Sequence, residues 1–188
     1  MGRWQPNARG RLAEAAMELF TERGYEQTTV AGIAQRAGLT ERTFFRHYAD
    51  KREVLFGGSG ALRELIASTL ASLPEAVAPM PAMGAALESV AAEFDERHAY
   101  ARRRQAVIAA NAELRERELI KLASLAATAA DALRLRGVGE PAATLAAETG
   151  VAVFKVAFER WTASTGRRPL SRFIRESLDE LKAVTAGA

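Results

Sequence analysis

Residues 28–53 read Thr28-Thr29-Val30-Ala31-Gly32-Ile33-Ala34-Gln35-Arg36-Ala37-Gly38-Leu39-Thr40-Glu41-Arg42-Thr43-Phe44-Phe45-Arg46-His47-Tyr48-Ala49-Asp50-Lys51-Arg52-Glu53. Val30, Ile33, Ala34 and Ala37 recur at helical spacing, and Thr28 or Thr29 stands where a hydroxyl caps a helix start. Gly38 ends that helix. Thr40 is placed to cap a second short helix, Glu41 to His47, with Phe44 turned inward and Glu41 favoured in its first turn by the helix dipole. Two short helices joined by about three residues have the layout of a helix-turn-helix, whose second helix enters the major groove of DNA. A plain helical hairpin has the same layout, and periodicity alone does not separate the two.

On either side of this stretch the pattern stays helical. Leu12, Ala15, Ala16, Leu19 and Phe20 carry a first helix that stops at Gly24. After Asp50 the stripe Val54, Leu55, Leu62, Leu65, Ile66, Leu70 and Leu73 predicts one long fourth helix, with Gly57-Gly58-Ser59-Gly60 inside it as a hinge or a break. Pro74, Pro79 and Pro81 mark a loop. Leu87, Val90, Ala91 and Phe94 give a fifth helix, and residues 100–111 and 113–136 give two more. Pro141 opens a helix running to Thr165, and Leu170, Phe173, Ile174, Leu178 and Leu181 line the last. Nothing alternates with period two over a useful length, so the fold is expected to be all-α.

The chain has 188 residues, 48% hydrophobic and 26% charged, enough apolar material for a sizeable core. It has no cysteine, which excludes disulfides, thiolate metal sites and cysteine nucleophiles. Net charge is only +3, although the pI of about 9.6 hints at a polyanionic partner. Its beginning, Met-Gly-Arg-Trp-Gln-Pro-Asn, lacks the apolar run of an export leader, and no stretch approaches a membrane span. A cytoplasmic protein with no membrane partner is expected.

Residues 28–53 resemble the signature of the tetracycline-repressor (TetR) family of bacterial transcription regulators, and the likeness extends from the start of the chain to about Phe56. It implies a three-helix DNA-binding domain at 1–49 and a larger helical domain at 50–188 for ligand binding and dimerisation. Thr29, at a helix start, offers its hydroxyl to a phosphate, and Thr43 and Lys51 are similarly placed. Arg42 and Arg46, four apart, project from one side of their helix, where arginine takes guanine O6 and N7. Phe45 and His47 stand where the family usually has a tyrosine and a histidine that touch the DNA backbone. Phe45 departs from that pattern; without a hydroxyl it packs only on sugar or on a thymine methyl. Tyr48 matches a buried aromatic of the family.

In the remainder of the chain, Met83, Leu87, Phe94, Tyr100, Val107, Leu122, Phe154, Phe158 and Trp161 are candidates to line a cavity for an apolar or aromatic effector. The helix from Pro141 carries two apolar stripes, more than one core needs. The resemblance places a four-helix dimer interface on the last two helices, here with Val153, Val156, Phe173 and Leu178. A homodimer on a near-palindromic operator is the expected assembly, repressing until an effector releases it. Two alternatives remain at this level: a DNA-binding adaptor or architectural protein without effector, and an enzyme carrying such a domain. Only His47 and His98 are histidines, and neither belongs to a spaced metal motif; Gly57-Gly58-Ser59-Gly60 lacks the lysine of a phosphate loop. No catalytic residue, metal or cofactor is expected. Arg102-Arg103-Arg104 reads as a solvated helix face.

Overall fold

The structure, a computed structural model, describes residues 7–94, 96–166 and 168–186. Residues 1–6, read above for the absence of a leader, lie outside them. Among the described residues there are ten α-helices and no strand: α1 Ala8–Arg23, α2 Val30–Arg36, α3 Glu41–His47, α4 Glu53–Phe56, α5 Ser59–Ser72, α6 Pro79–Ala92, α7 His98–Ala109, α8 Ala112–Leu135, α9 Ala142–Ala163 and α10 Leu170–Thr185. None is long and apolar enough to cross a membrane.

Packing divides the chain into two compact units. The described residues up to Gly57 pack with Arg103–Glu118, and Gly58–Arg102 packs with the chain from Leu119 onward. The functional boundary expected at 49/50 is a different quantity, and packing does not place it.

In the first unit α1 buries Leu12, Ala16, Leu19 and Phe20 against Ile33 and Ala34 of α2 and Phe44 of α3. A seven-residue helix is far below the length that is stable alone in water. Phe44 is α3's one buried side chain, worth about 1.5–3 kcal/mol, so caps and polar ties of about 1 kcal/mol each carry real weight here. Thr29 and Thr40 cap α2 and α3, each accepting a backbone N–H three residues on, at 3.1 and 3.2 Å. Gly38, at φ 64°, makes the turn between them, and the next N–H, from Leu39, reaches back to the Ala34 carbonyl at 2.8 Å. Arg36 of α2 clasps Glu18 and Glu22 of α1 at 2.9 and 2.8 Å. The hydrogen bond from Arg36 holds the Glu22 carboxyl below the usual carboxylate range.

Three sequence expectations change. The long fourth helix is two helices, α4 and α5, interrupted at Gly57 and Gly58, both right-handed with φ −59° and −89°. Gly58 is the cap residue of α5, and Ser59 is its first helical residue. Pro79 and Pro81 belong to the first turn of α6 instead of a loop, where their missing N–H groups leave no intrahelical bond unmade. Arg104 is not on a solvated face: its Nε donates to the Leu55 carbonyl at 2.7 Å and its guanidinium lies 5.0 Å from the Phe56 ring centre.

The second unit is built around α9, which packs on both α6 and α10. Gly150 sits where α6 presses closest, since a Cβ there would lie 2.5 Å from Met83 Cε. The breadth of α9's apolar surface is thus used largely inside the subunit. Val153 and Phe173, expected to face a second subunit, are 5% and 2% exposed and belong to this core. Phe173 also lies under the guanidinium of Arg168, 4.5 Å from its ring centre. Leu178 is half-buried against the same core, while Val156 stands 49% exposed.

Candidate nucleic-acid interface and regulatory residues

The turn at Gly38 and the buried anchor Phe44 fix which side of α3 faces out. Arg42, Phe45 and Arg46, spaced i, i+3 and i+4, are all exposed and share one arc of the helix. With Thr40 and Thr43 they line a shallow cleft of about 600 Å³. Neither arginine is paired with another described residue, whereas Arg36, Arg52, Arg104 and Arg117 of the same unit all are. Phe45 is 55% exposed and stands edge-on to Phe44, with ring centres 5.5 Å apart at 85°. The arrangement presents two unneutralised guanidinium groups and an apolar ring on a rigid, narrow rod.

The other predicted contacts are placed less simply. The Thr29 hydroxyl is the α2 cap, and the Thr43 hydroxyl lies 3.0 Å from that of Thr40. His47, in the last turn of α3, is half-buried, and its Nε2 is buried without a hydrogen-bond partner among the described residues. Lys51 corrects expectation. Its ammonium donates to the carbonyls of Tyr25, Glu26 and Thr28 at 2.9, 3.4 and 3.2 Å and lies 4.2 Å from the Tyr25 ring centre. All three of its donors are committed to holding the loop before α2, so none is left for a phosphate. Tyr48 is core, and its hydroxyl donates to the Arg9 carbonyl at 3.1 Å.

Sequence reasoning missed the polar ties elsewhere in this unit. Asp50 accepts the N–H groups of Arg52 and Glu53 at 2.8 and 3.1 Å, starting α4. Burial would raise its carboxyl, but the Arg52 guanidinium and those N–H groups outweigh it and hold the pKa low. Arg52 reaches Glu113, and Arg117 reaches Glu53, both at 2.7 Å. Glu18 and Glu22, four apart on α1, are a same-face acid pair whose basic partner the sequence alone does not name.

Residues 12–56 match the family model described as bacterial regulatory proteins, tetR family. This segment is similar to the DNA-binding segment of TetR-family regulators. The TetR-family likeness continues in a curated relative, the HTH-type transcriptional regulator TcmR of Streptomyces glaucescens, 40% identical over 82 residues, which are 44% of this chain and 36% of TcmR. The chain thus matches about a third of that relative's length. Solved structures carry the likeness over the whole fold. The transcriptional regulator FadR of Bacillus subtilis, in complex with stearoyl-CoA, superposes with a TM-score of 0.66 at 17% identity, over 95% of this chain and 99% of that one. A TetR-family regulator of Syntrophomonas wolfei gives a TM-score of 0.68 at 16% identity, over 96% of each chain. At these identities the likeness establishes the fold alone.

The residues expected to line an effector cavity divide in the structure. Met83, Leu87, Phe154, Phe158 and Trp161 are buried in the second unit's core, with Phe94 and Leu122 half-buried against it. The rings fill space against one another: Phe94 lies 5.4 Å from Phe158 and 6.2 Å from Trp161, and Phe154 lies 5.6 Å from Phe158. His98 closes one side, its ring 4.7 Å from Trp161 and its Nε2 2.9 Å from the Trp161 carbonyl oxygen. Tyr100 is half-buried in the same unit, but Val107 packs with the first unit and shares no core with the rings. A cleft of about 230 Å³ lies elsewhere, between α8 and α9, with Ala126, Ala130, Asp131, Arg134, Thr144 and Glu148 on its walls. None of the nine predicted residues lines it.

Proposed function

We propose that the chain is a sequence-specific DNA-binding transcriptional regulator of the cytoplasm, acting without catalysis as a homodimer that represses until a small apolar or aromatic ligand releases it. Residues 1–49 are the reading head in this proposal, and 50–188 the regulatory part. The observation that carries it is the exposed arc of Arg42, Phe45 and Arg46, its two arginines unpaired with other described residues, on a helix anchored by the buried Phe44. Arginine unpaired within the protein is free for the guanine edge, and a groove-sized helix brings it there. Selection from random duplexes by the full chain tests this reading; a near-palindrome with half-sites about one or more helical turns apart should emerge, and recovery of no preferred sequence would defeat it.

The homodimer draws support from exposed apolar residues of α9, Val156 at 49% and Leu145 at 62%. Sedimentation at micromolar concentration should give twice the chain mass, reduced by Val156→Glu. The ligand is supported by the aromatic content of the second unit and by the FadR fold likeness, FadR having been solved with stearoyl-CoA. Rings that fill the space against one another favour a second reading, a DNA-binding adaptor with no effector. Thermal shift in the presence of a long-chain fatty acid and of a small phenol separates the two: a raised melting temperature with either supports the effector, and none with both supports the adaptor.

A further inference from the structure

Phe45 is the one exposed large apolar side chain of the first unit among the described residues. Every other phenylalanine and leucine of α1 to α4 is buried or half-buried. An apolar ring in water forgoes the burial that stabilises its neighbours. Phe45 stands edge-on to Phe44, whose own ring is fully buried and cannot follow it outward.

The ring's position on the helix decides what it meets. With the α-helical repeat, the positions three and four residues after Arg42 fall just to either side of it, so Arg42 is the centre of the outward arc and Phe45 and Arg46 are its two shoulders. Thr43, about a quarter-turn from Arg42 on the Arg46 side, borders the same cleft with Thr40, and His47 lies more than a third of a turn away. The cleft lined by Thr40, Arg42, Thr43, Phe45 and Arg46 is therefore one surface centred on Arg42, and a helix laid in the major groove presents the centre of such a surface to base edges. A phenyl ring can neither donate to a phosphate nor accept from an amino group. In the major groove one apolar group is on offer, the C5-methyl of thymine.

We propose that Phe45 is a specificity-determining residue that reads the thymine C5-methyl, beside guanines taken by Arg42 or Arg46, so that each half-site holds a required thymine close to a required guanine. This rests on the DNA-reading proposal above and goes beyond it by naming the base and the atom read.

The test uses the full chain and the duplex it selects from a random library. Each thymine of the selected site is replaced symmetrically by uracil, which removes the methyl and leaves pairing intact. Affinities are read by fluorescence anisotropy for the unaltered protein, for Phe45→Ala and for Phe45→Leu. At one thymine per half-site, uracil should weaken binding about fourfold per half-site, the fold-change of one buried methyl group. The same replacement should leave Phe45→Ala unaffected and retain part of its effect in Phe45→Leu, which keeps an apolar side chain should the alanine variant fold poorly. Equal binding of all uracil duplexes by the unaltered protein would overturn the assignment and place the ring on deoxyribose. So would a uracil effect of full size in Phe45→Ala, or a selected site with no required thymine. Selection of no site at all is a different failure, because it removes DNA reading itself.

Discussion

The two packing units treat their informative side chains in opposite ways. In the first, Arg42, Phe45 and Arg46 stand outside, and polar ties do much of the holding: Arg36 on two acids, Lys51 on three carbonyls, Asp50 on two N–H groups. In the second, Phe154, Phe158 and Trp161 are inside, held by one another and by α6 and α10. A short helix that must present a polar face cannot be fixed by burial alone, so it needs hydrogen bonds at defined spacings. A long helix in a core needs only volume. The first requirement leaves a spelled motif in the sequence; the second leaves a periodicity that many functions share.

This contrast implies its largest effect in the second unit. Trp161 is 1% exposed and its Nε1 donates to the Arg168 carbonyl at 3.2 Å. Trp161→Ala should lower unfolding free energy by about 3–5 kcal/mol in urea denaturation, as expected for a close-packed core. A loss below about 1 kcal/mol would mean the rings wall a space that opens readily, and the second unit would then be less of a plain core than its packing suggests.

In the first unit the large effects should fall on binding and not on stability. Arg42→Ala and Arg46→Ala should each cost about 1–3 kcal/mol on the selected operator and flatten base preference at one position per half-site. Melting temperatures should stay close to that of the unaltered protein, since neither side chain is tied to another described residue. Unchanged base preference in both variants would show that the wrong side of α3 has been taken as the reading side.

Legibility follows the same division. The caps Thr29 and Thr40, the turn at Gly38 and the anchor Phe44 are all readable, because each is a local hydrogen bond or burial event within a few residues. Lys51 is misread. Its partners lie 23 to 26 residues back in the chain, and no local pattern states that a lysine will fold onto carbonyls instead of projecting to solvent. Phe173 and Val153 are misread for a related reason. An amphipathic helix shows which residues are apolar but not whether the subunit itself or a second copy covers them. Val107 falls in with the effector residues on hydrophobicity alone, and only the packing of Arg103–Glu118 with the first unit separates it.

Lys51 supplies the next test. Lys51→Met keeps the stem and removes the charge, leaving the carbonyls of Tyr25, Glu26 and Thr28 without their donor. Hydrogen bonds from a charged group to the backbone contribute about 1.5–3 kcal/mol when buried, and half-exposure reduces this to about 1–2 kcal/mol in urea denaturation. The dependence of operator affinity on salt should keep its slope, because the charge is not on a phosphate. A slope lower by about one unit per subunit contact would return Lys51 to the DNA.

A smaller effect is expected at the Arg36 clasp. The Glu22 carboxyl is held below its ordinary pKa, chiefly by the hydrogen bond from Arg36. A carboxyl with a lowered folded-state pKa adds stability that is present above its unfolded pKa and lost as pH falls through the folded value. Melting temperature should therefore be higher for the unaltered protein than for Glu22→Gln at pH 7, and the two should converge on acidification below the ordinary carboxylate range. A difference that survives to low pH would assign the loss to packing of the side chain and not to its charge.

The smallest effects belong to Gly57, Gly58 and Gly60, which sit where one unit gives way to the other along the chain. Their backbones are right-handed, with φ −59° at Gly57 and −89° at Gly58, so alanine fits the local conformation at both. The surroundings differ. A Cβ at Gly58 or Gly60 meets nothing within 4 Å, whereas one at Gly57 would lie 3.1 Å from both Arg9 Nη2 and Tyr48 Cε1. Gly58→Ala and Gly60→Ala should each raise unfolding free energy by about 0.5–1 kcal/mol, by reducing the freedom of the unfolded chain. Gly57→Ala should gain less or lose, because Tyr48 is core and the Arg9 Nη2 donates to the Gly57 carbonyl, so neither neighbour gives way freely. If all three substitutions stabilise alike, close approach is not why position 57 lacks a side chain. Glycine at 58 and 60, with open space around it and stability forgone, then has only backbone freedom left to explain it. Backbone freedom at 58 and 60 then predicts that the Gly58→Ala, Gly60→Ala double variant binds the selected operator with changed affinity while Arg42, Phe45 and Arg46 are untouched, and an unaltered affinity in a folded, more stable double variant would reduce the two glycines to a simple helix break.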